Sequence, residues 1–300
     1  MSGAAWALLL VLSVLWGATF FFWKVLVAYA PPFTVVFGRV GVAALVLLLV
    51  LVLRGEGLPW TRAAWLRFFV MAALNNAIPF ALIAYGETAI ASGLASILNA
   101  TTPVFTVLVA HVLTEDEKLT PLKLLGVGLG FIGVVALVWP DLLPGVLSAN
   151  LFGELACLLA AVTYAFAGVY GRRFSGLSAL TAATGQLVAA TLLMLPFVLW
   201  VDRPWQLPMP PASFWLSLVT TAVLCTAAAY IVYFRLLAIA GATNLLLVTF
   251  LLPVSALLLG VLFLHETITP AALTGMALIG GGLAAIDGRL LPRPTRNIQL

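Results

Sequence analysis

Runs of about 20 apolar residues follow one another from residue 4 to residue 288. Each is long enough to cross a hydrocarbon core of about 30 Å as a helix. Lipid offers no partner to exposed backbone groups, so a chain built of such runs must satisfy its N–H and C=O groups within the segments themselves. The pattern predicts an all-α integral membrane protein with spans at 4–27, 33–53, 64–86, 91–113, 121–139, 150–171, 178–200, 212–235, 241–264 and 271–288. Pro31-Pro32, Gly55 to Pro59, Pro140 to Asn150 and Pro204 to Pro211 fall between them, as residues that cannot continue a helix should. With 64% hydrophobic and 8% charged residues, no stretch is left for a separate soluble domain.

Ala28-Tyr29-Ala30 has the small-x-small form of a signal-peptide cleavage site. No Lys or Arg precedes the apolar run, however, and that run is too long for a signal core. The first span is expected to be retained. The net charge of +4 does not point to nucleic acid, because the basic residues are scattered between apolar runs. They read as topology signals. If both termini are cytoplasmic, the inner segments hold Arg54, Arg62, Arg67, Lys118, Lys123, Arg172, Arg173, Arg235, Arg289, Arg293 and Arg296. The outer side then holds Arg203, with Lys24 and Arg39 near outer helix ends. That asymmetry supports ten spans with the termini inside, as expected for a multi-pass protein of a bacterial inner membrane.

The chain repeats itself. Ala89 to Pro121 has a counterpart in Ala238 to Pro270: both open on Ala-Ile-Ala, carry a proline within the helix (Pro103, Pro253) and close on Glu-x-x-Thr-Pro. Gly126 and Gly133 of the next span correspond to Gly275 and Gly282. Five spans per copy is an odd number, so the second copy, 146–300, is expected to lie inverted relative to the first, 1–145. Inverted repeats are a recurring architecture of secondary transporters, with substrate sites between the halves near the bilayer midplane.

The stretch WGATFFFWK, Trp16 to Lys24, resembles the first-helix signature W-G-x-x-F-x-x-x-K of the drug/metabolite transporter superfamily, EamA type. The two Pro…Glu-x-x-Thr-Pro segments resemble that family's fourth and ninth helices, and the likeness covers essentially the whole chain. The second copy of the first-helix motif has drifted, with Tyr164-Ala165 in place of Trp16-Gly17 and Arg172 in place of Lys24. Within the superfamily the chain is most similar to the YddG group, exporters of aromatic and other amino acids. The resemblance implies ten helices, four from each repeat around a central cavity and the fifth helices, 121–139 and 271–288, packed outside it. Those two are rich in glycine and poor in polar side chains, and Gly126-x-x-x-Gly130 is a close-packing pattern.

Polar residues within spans mark candidate sites, because leaving them in lipid is costly. Ser92, Ser96, Asn99 and Pro103 share one helical face, with Thr101 and Thr102 beside them. Pro103 lacks an N–H and so frees the carbonyl of Asn99. The third span adds Asn75 and Asn76 ahead of Pro79, and Tyr85; the second half adds Tyr164, Thr221, Tyr230, Tyr233, Asn244, Thr249 and the proline at 253. Trp16 lies too deep for a membrane-interface belt. Against these stand plainer readings: Ser and Thr in spans often bond their own backbone, and Tyr near helix ends often serves the belt.

The charged candidates for gating or coupling are Lys24, Arg39, Glu87 and Glu154. Lys24 reads either as a snorkelling anchor or as a gate. No carboxylate lies near the middle of a span, so proton coupling through Glu87 or Glu154 and facilitated diffusion both stay open. Cys157 and Cys225 read as packing residues, and His111 and His265 lack ligand spacing. No metal, cofactor or enzyme chemistry is expected. Asn and Thr groups beside Trp16 and Tyr164 suit neutral or aromatic amino acids. An exporter of drugs, nucleotide-sugars or phosphorylated metabolites is the alternative, and a non-transporting assembly protein a distant one. A phosphorylated substrate would want several inward cations, and only Lys24 and Arg39 are available. The expected partners are the bilayer and a small-molecule substrate, with the chain a monomer or, alternatively, a dimer.

Overall fold

The computed structural model describes residues 1–115, 117–142, 149–174, 176–245 and 247–287. Among these it contains ten apolar helical spans and no strand. They are Gly3–Val27, Pro32–Leu53, Arg62–Ala89, Ser92–Leu113, Pro121–Leu142, Ala149–Phe174, Ala179–Gln206, Ala212–Gly241, Val248–Leu264 and Pro270–Asp287, called the first to tenth spans below. Their starts follow ordinary capping chemistry. Hydroxyls of Ser2, Thr61 and Ser178 accept from backbone N–H groups one turn on, and prolines open the second, fifth and tenth spans.

Two expected helices are not continuous. The fourth span is divided into Ser92–Asn99 and Thr102–Leu113, with Pro103 in the first turn of the second piece. The Asn99 carbonyl accepts from the Thr102 hydroxyl at 2.7 Å. The ninth was expected over 241–264, but its long helix begins only at Val248. Gly241, at φ 77° and ψ 167°, turns the corner from the eighth span in a conformation that a side chain would resist, and helical backbone resumes to Leu245. Pro253 is carried inside the long helix.

The third and eighth spans each contain a wide π turn, Ala73–Ala77 and Val223–Ala228. In the third, Pro79 has no N–H to give the carbonyl one turn back, and a turn one residue wider absorbs that loss. Such turns push side chains out of helical register. Here they lie where polar groups gather.

The first span packs on the eighth and ninth, the second on the seventh, and the third on the sixth. Trp23, Leu47, Phe68 and Ile97 are among the fully buried side chains between them. The fifth and tenth spans form their own antiparallel pair, with Gly126 against Gly282 and Gly133 against Gly275. A Cβ on Gly126 would sit 2.5 Å from the Gly282 carbonyl oxygen, whereas one on Gly128 would meet nothing within 4 Å. Gly126→Leu is therefore expected to lower the melting temperature in detergent by about 5 °C or more, from an overpacking cost of about 1–3 kcal/mol, and Gly128→Leu to change it little. Equal shifts would show that this crossing is not a close contact.

Contacts sort the connections to two ends. At one, Arg67 donates to the Arg173 carbonyl, Ser178 to Glu56, and Arg172 pairs with Glu117. Arg54, Arg62, Lys118 and Lys123 lie on these same connections, making this the basic end. At the opposite end Thr34 donates its N–H and hydroxyl to Asp202, at 2.6 and 2.9 Å. Arg289, Arg293, Arg296 and the expected boundary between repeats at 145 and 146 lie outside the described residues.

Candidate functional site

Asn75 lies in the π turn of the third span, and its amide reaches across the bundle. Its Nδ2 donates to Gln186 Oε1 on the seventh span and to the Tyr230 hydroxyl on the eighth, both at 3.3 Å. Gln186 Nε2 also reaches that hydroxyl, at 3.4 Å. Asn76 is fully buried and within reach of Tyr230, yet neither amide atom completes a well-aligned hydrogen bond. Two primary amides and a phenol linking three spans form a group that can both donate and accept.

An aromatic wall continues from this cluster. Tyr230 stacks on Phe234 at 6.3 Å, Phe234 meets Tyr233 edge-on at 5.1 Å, and Tyr233 faces Trp16 at 5.6 Å. Trp16, Tyr230 and Tyr233 are only half-buried, so the wall retains accessible surface. Tyr164 packs on the main core and lies within electrostatic reach of Tyr230 and Arg39.

Arg39 enters from the second span and is 4% exposed. Its Nε donates to the Thr226 hydroxyl at 3.0 Å, and its guanidinium carbon lies 4.2 Å from the centre of the Phe80 ring and 5.1 Å from that of Trp23. Thr226 belongs to the second π turn, and its hydroxyl donates in turn to the Thr221 carbonyl at 3.0 Å.

The end opposite the basic one is tied at the corner between the third and fourth spans. Lys24 Nζ donates to the carbonyls of Glu87 and Ile90 at 2.7 and 2.8 Å, a cation on a helix C-terminus. The Glu266 carboxylate, from beyond the ninth span, accepts from Ser92 N–H at 2.8 Å, Ser92 Oγ at 2.9 Å and Gly93 N–H at 3.2 Å. It satisfies donors that the start of a helix leaves free and lies at the positive end of the helix dipole. The Glu at the same place in the repeated motif, Glu117, pairs instead with Arg172. Glu87 and Glu154 are fully buried on the packed third and sixth spans, and the Glu87 carboxyl oxygens make no hydrogen bond.

The other expected site residues fall elsewhere. Ser96 Oγ donates to the Gly93 carbonyl, Thr102 to Asn99, and Asn244 Nδ2 to the Ala240 carbonyl. Asn99 is half-buried, and Thr249 lines a small groove with Ile97, Ala100 and Met276. Tyr85, at 59% exposed, is on the periphery, while Pro79 begins the helical turn that follows Asn75 and Asn76. Gln186, Thr226 and Glu266 were not anticipated as site residues. Gln186 carried a usable signal, being an uncharged amide within an apolar span.

The EamA-like transporter family model matches residues 1–139 and 151–286. The chain is 26% identical over 272 residues to "Uncharacterized transporter YoaV" of Bacillus subtilis (strain 168), covering 90% of this chain and 92% of that one. It is 28% identical over 205 residues to "Uncharacterized inner membrane transporter YedA" of Escherichia coli (strain K12), covering 67% and 64%. A solved crystal structure shares the fold at a TM-score of 0.68 and 21% identity, over 98% of this chain and 100% of the other.

Proposed function

The chain belongs to the EamA-like transporter family, and on that premise we propose that this membrane transporter exports neutral amino acids, aromatic ones among them, and related small metabolites across a bacterial inner membrane by alternating access. The observation that carries the substrate class is the Asn75–Gln186–Tyr230 cluster continued by the wall of Tyr230, Phe234, Tyr233 and Trp16. Amides and a phenol suit the ammonium and carboxylate of a zwitterion, and the rings suit an apolar or aromatic side chain.

The basic end, taken as cytoplasmic, supports termini on the inside. The antiparallel Gly126–Gly282 and Gly133–Gly275 contacts support two inverted repeats, since each contact becomes the other when corresponding glycines exchange places. Lys24 and Glu266 then close the outer end. We read the bonds at the corner between the third and fourth spans as holding the outer side shut in this arrangement.

The test is uptake of Phe, Trp and Met into proteoliposomes. Tyr230→Phe is expected to lower kcat/KM about tenfold and Asn75→Leu to lower it further, the scale of one and then two hydrogen bonds that the substrate would otherwise inherit. If no amino acid enters faster than into empty liposomes, the substrate class is wrong. If both variants transport normally, the site is wrong. Repeating the assay with an imposed pH gradient separates coupled from passive transport.

A further inference from the structure

We propose that Arg39 is the receptor for the substrate's carboxylate, so that the site selects monocarboxylates with an apolar or aromatic body over amines and amides of the same shape. In its reference to transport the inference rests on the reading above; as a binding site Arg39 stands on its own geometry.

A buried cation inside a membrane bundle is costly unless an anion accompanies it. Arg39 is 4% exposed, and among the described residues no carboxylate pairs with it. Glu87 is within electrostatic reach, but its carboxyl oxygens make no hydrogen bond and form no ion pair with the guanidinium. The acceptor that Arg39 does have, the Thr226 hydroxyl, is neutral and takes only Nε. Phe80 and Trp23 stabilise the charge through their rings, yet neither ring supplies an acceptor lone pair. The remaining N–H groups form the planar fork that matches a carboxylate in two parallel bonds.

The surroundings narrow the class of anion. Lys24 is already engaged with two backbone carbonyls, so among the described residues within the spans one cation, not several, is left for the ligand. That favours a single carboxylate over a phosphate or diphosphate, which would call for more positive charge. Tyr164 and Tyr230 lie within electrostatic reach of the guanidinium, which places it in the same part of the bundle as the amide and aromatic cluster. A purely structural Arg39 would tie the second span to the π turn of the eighth and would have no preference among ligands.

Calorimetry on the full chain in lipid nanodiscs, with phenylalanine, phenylacetate, phenylalaninamide and phenethylamine as probes, decides between these roles. Phenylalanine and phenylacetate are expected to bind about thirtyfold more tightly than the two compounds lacking a carboxylate, the scale of a charge-assisted hydrogen bond. Arg39→Gln should abolish that preference, and Arg39→Lys should retain part of it. Equal binding of phenylacetate and phenethylamine, no binding of either carboxylate at millimolar concentration, or a preference that survives in Arg39→Gln would each overturn the assignment. If Arg39→Gln does not fold, the wild-type ligand series decides alone. Parallel flux measurements keep the two readings apart. Carboxylate-selective binding without flux would sink the transport reading and leave Arg39 in its role, while equal flux of all four compounds would do the reverse.

Discussion

Glu266→Ala is expected to open the outer end of the protein, raising at least tenfold the rate at which an impermeant maleimide labels a cysteine placed at Ala95, in a chain whose buried Cys157 and Cys225 have been replaced. Ala95 is fully buried, one turn into the fourth span from the corner that Glu266 holds. The three bonds at that corner all end on one carboxylate and all join the fourth span to the connection after the ninth. Losing charge-assisted bonds of this kind costs about 1.5–3 kcal/mol each before compensation by water, so a net shift of one tenfold step is conservative. Glu266→Gln keeps an acceptor oxygen without the charge and should fall between wild type and Ala. Lys24→Met should act in the same direction, because it releases the Glu87 and Ile90 carbonyls, whereas Lys24→Arg should not. A lysine that only anchored its helix in the interface would leave the labelling rate unchanged in both. Glu117 is held by Arg172, so under inverted repeats its removal should not raise outer labelling. Unchanged labelling in Glu266→Ala would mean that the corner is not part of the outer closure.

The spans were legible in the sequence because a run of about 20 apolar residues has few alternatives once water is excluded. The breaks were less so. Pro103 announced the division of the fourth span, but the ninth was interrupted ahead of Pro253, where Gly241 permits a left-handed corner and no composition shift marks it. The π turns could not be read at all, because one extra residue in a helical turn alters neither hydropathy nor spacing enough to show. Asn75 was legible through the cost of burying an amide, yet its partners were not. Gln186 and Tyr230 lie far along the chain and meet Asn75 only because three spans converge. The same holds for Glu266, whose repeated motif was plain while its partner Ser92, 174 residues away, was not. Arg39 was visible as a charge in a span, but the residues that make it informative, Trp23, Phe80 and Thr226, sit on three other spans.

Gly17→Val is expected to abolish the folded protein, and Gly17→Ala to lower its melting temperature by about 5 °C, an overpacking cost of about 1–3 kcal/mol. The first span meets the ninth here more closely than a side chain permits. A Cβ on Gly17 would overlap the Ser255 hydroxyl and stand 2.8 Å from the Leu252 carbonyl oxygen and 2.9 Å from Ser255 Cβ. Ser255 Oγ also donates to the Ser13 carbonyl at 2.8 Å, so the two spans are joined one turn away as well. Because a carbonyl cannot swing aside as a side chain can, the alanine must push the first span away from the ninth. Trp16 would move with it, disturbing its contact with Tyr233. The arrangement makes a definite statement about coupling: Ser255→Gly should cost little in Gly17→Ala and restore part of the lost stability, since it removes two of the three clashing atoms and leaves the Leu252 carbonyl. A double-mutant cycle on melting temperature and Phe uptake measures this directly. Strict additivity would show that Gly17 and Ser255 do not share a contact. Recovery of stability without recovery of uptake would place the damage at Trp16, whose position the glycine sets, and not in the helix crossing itself.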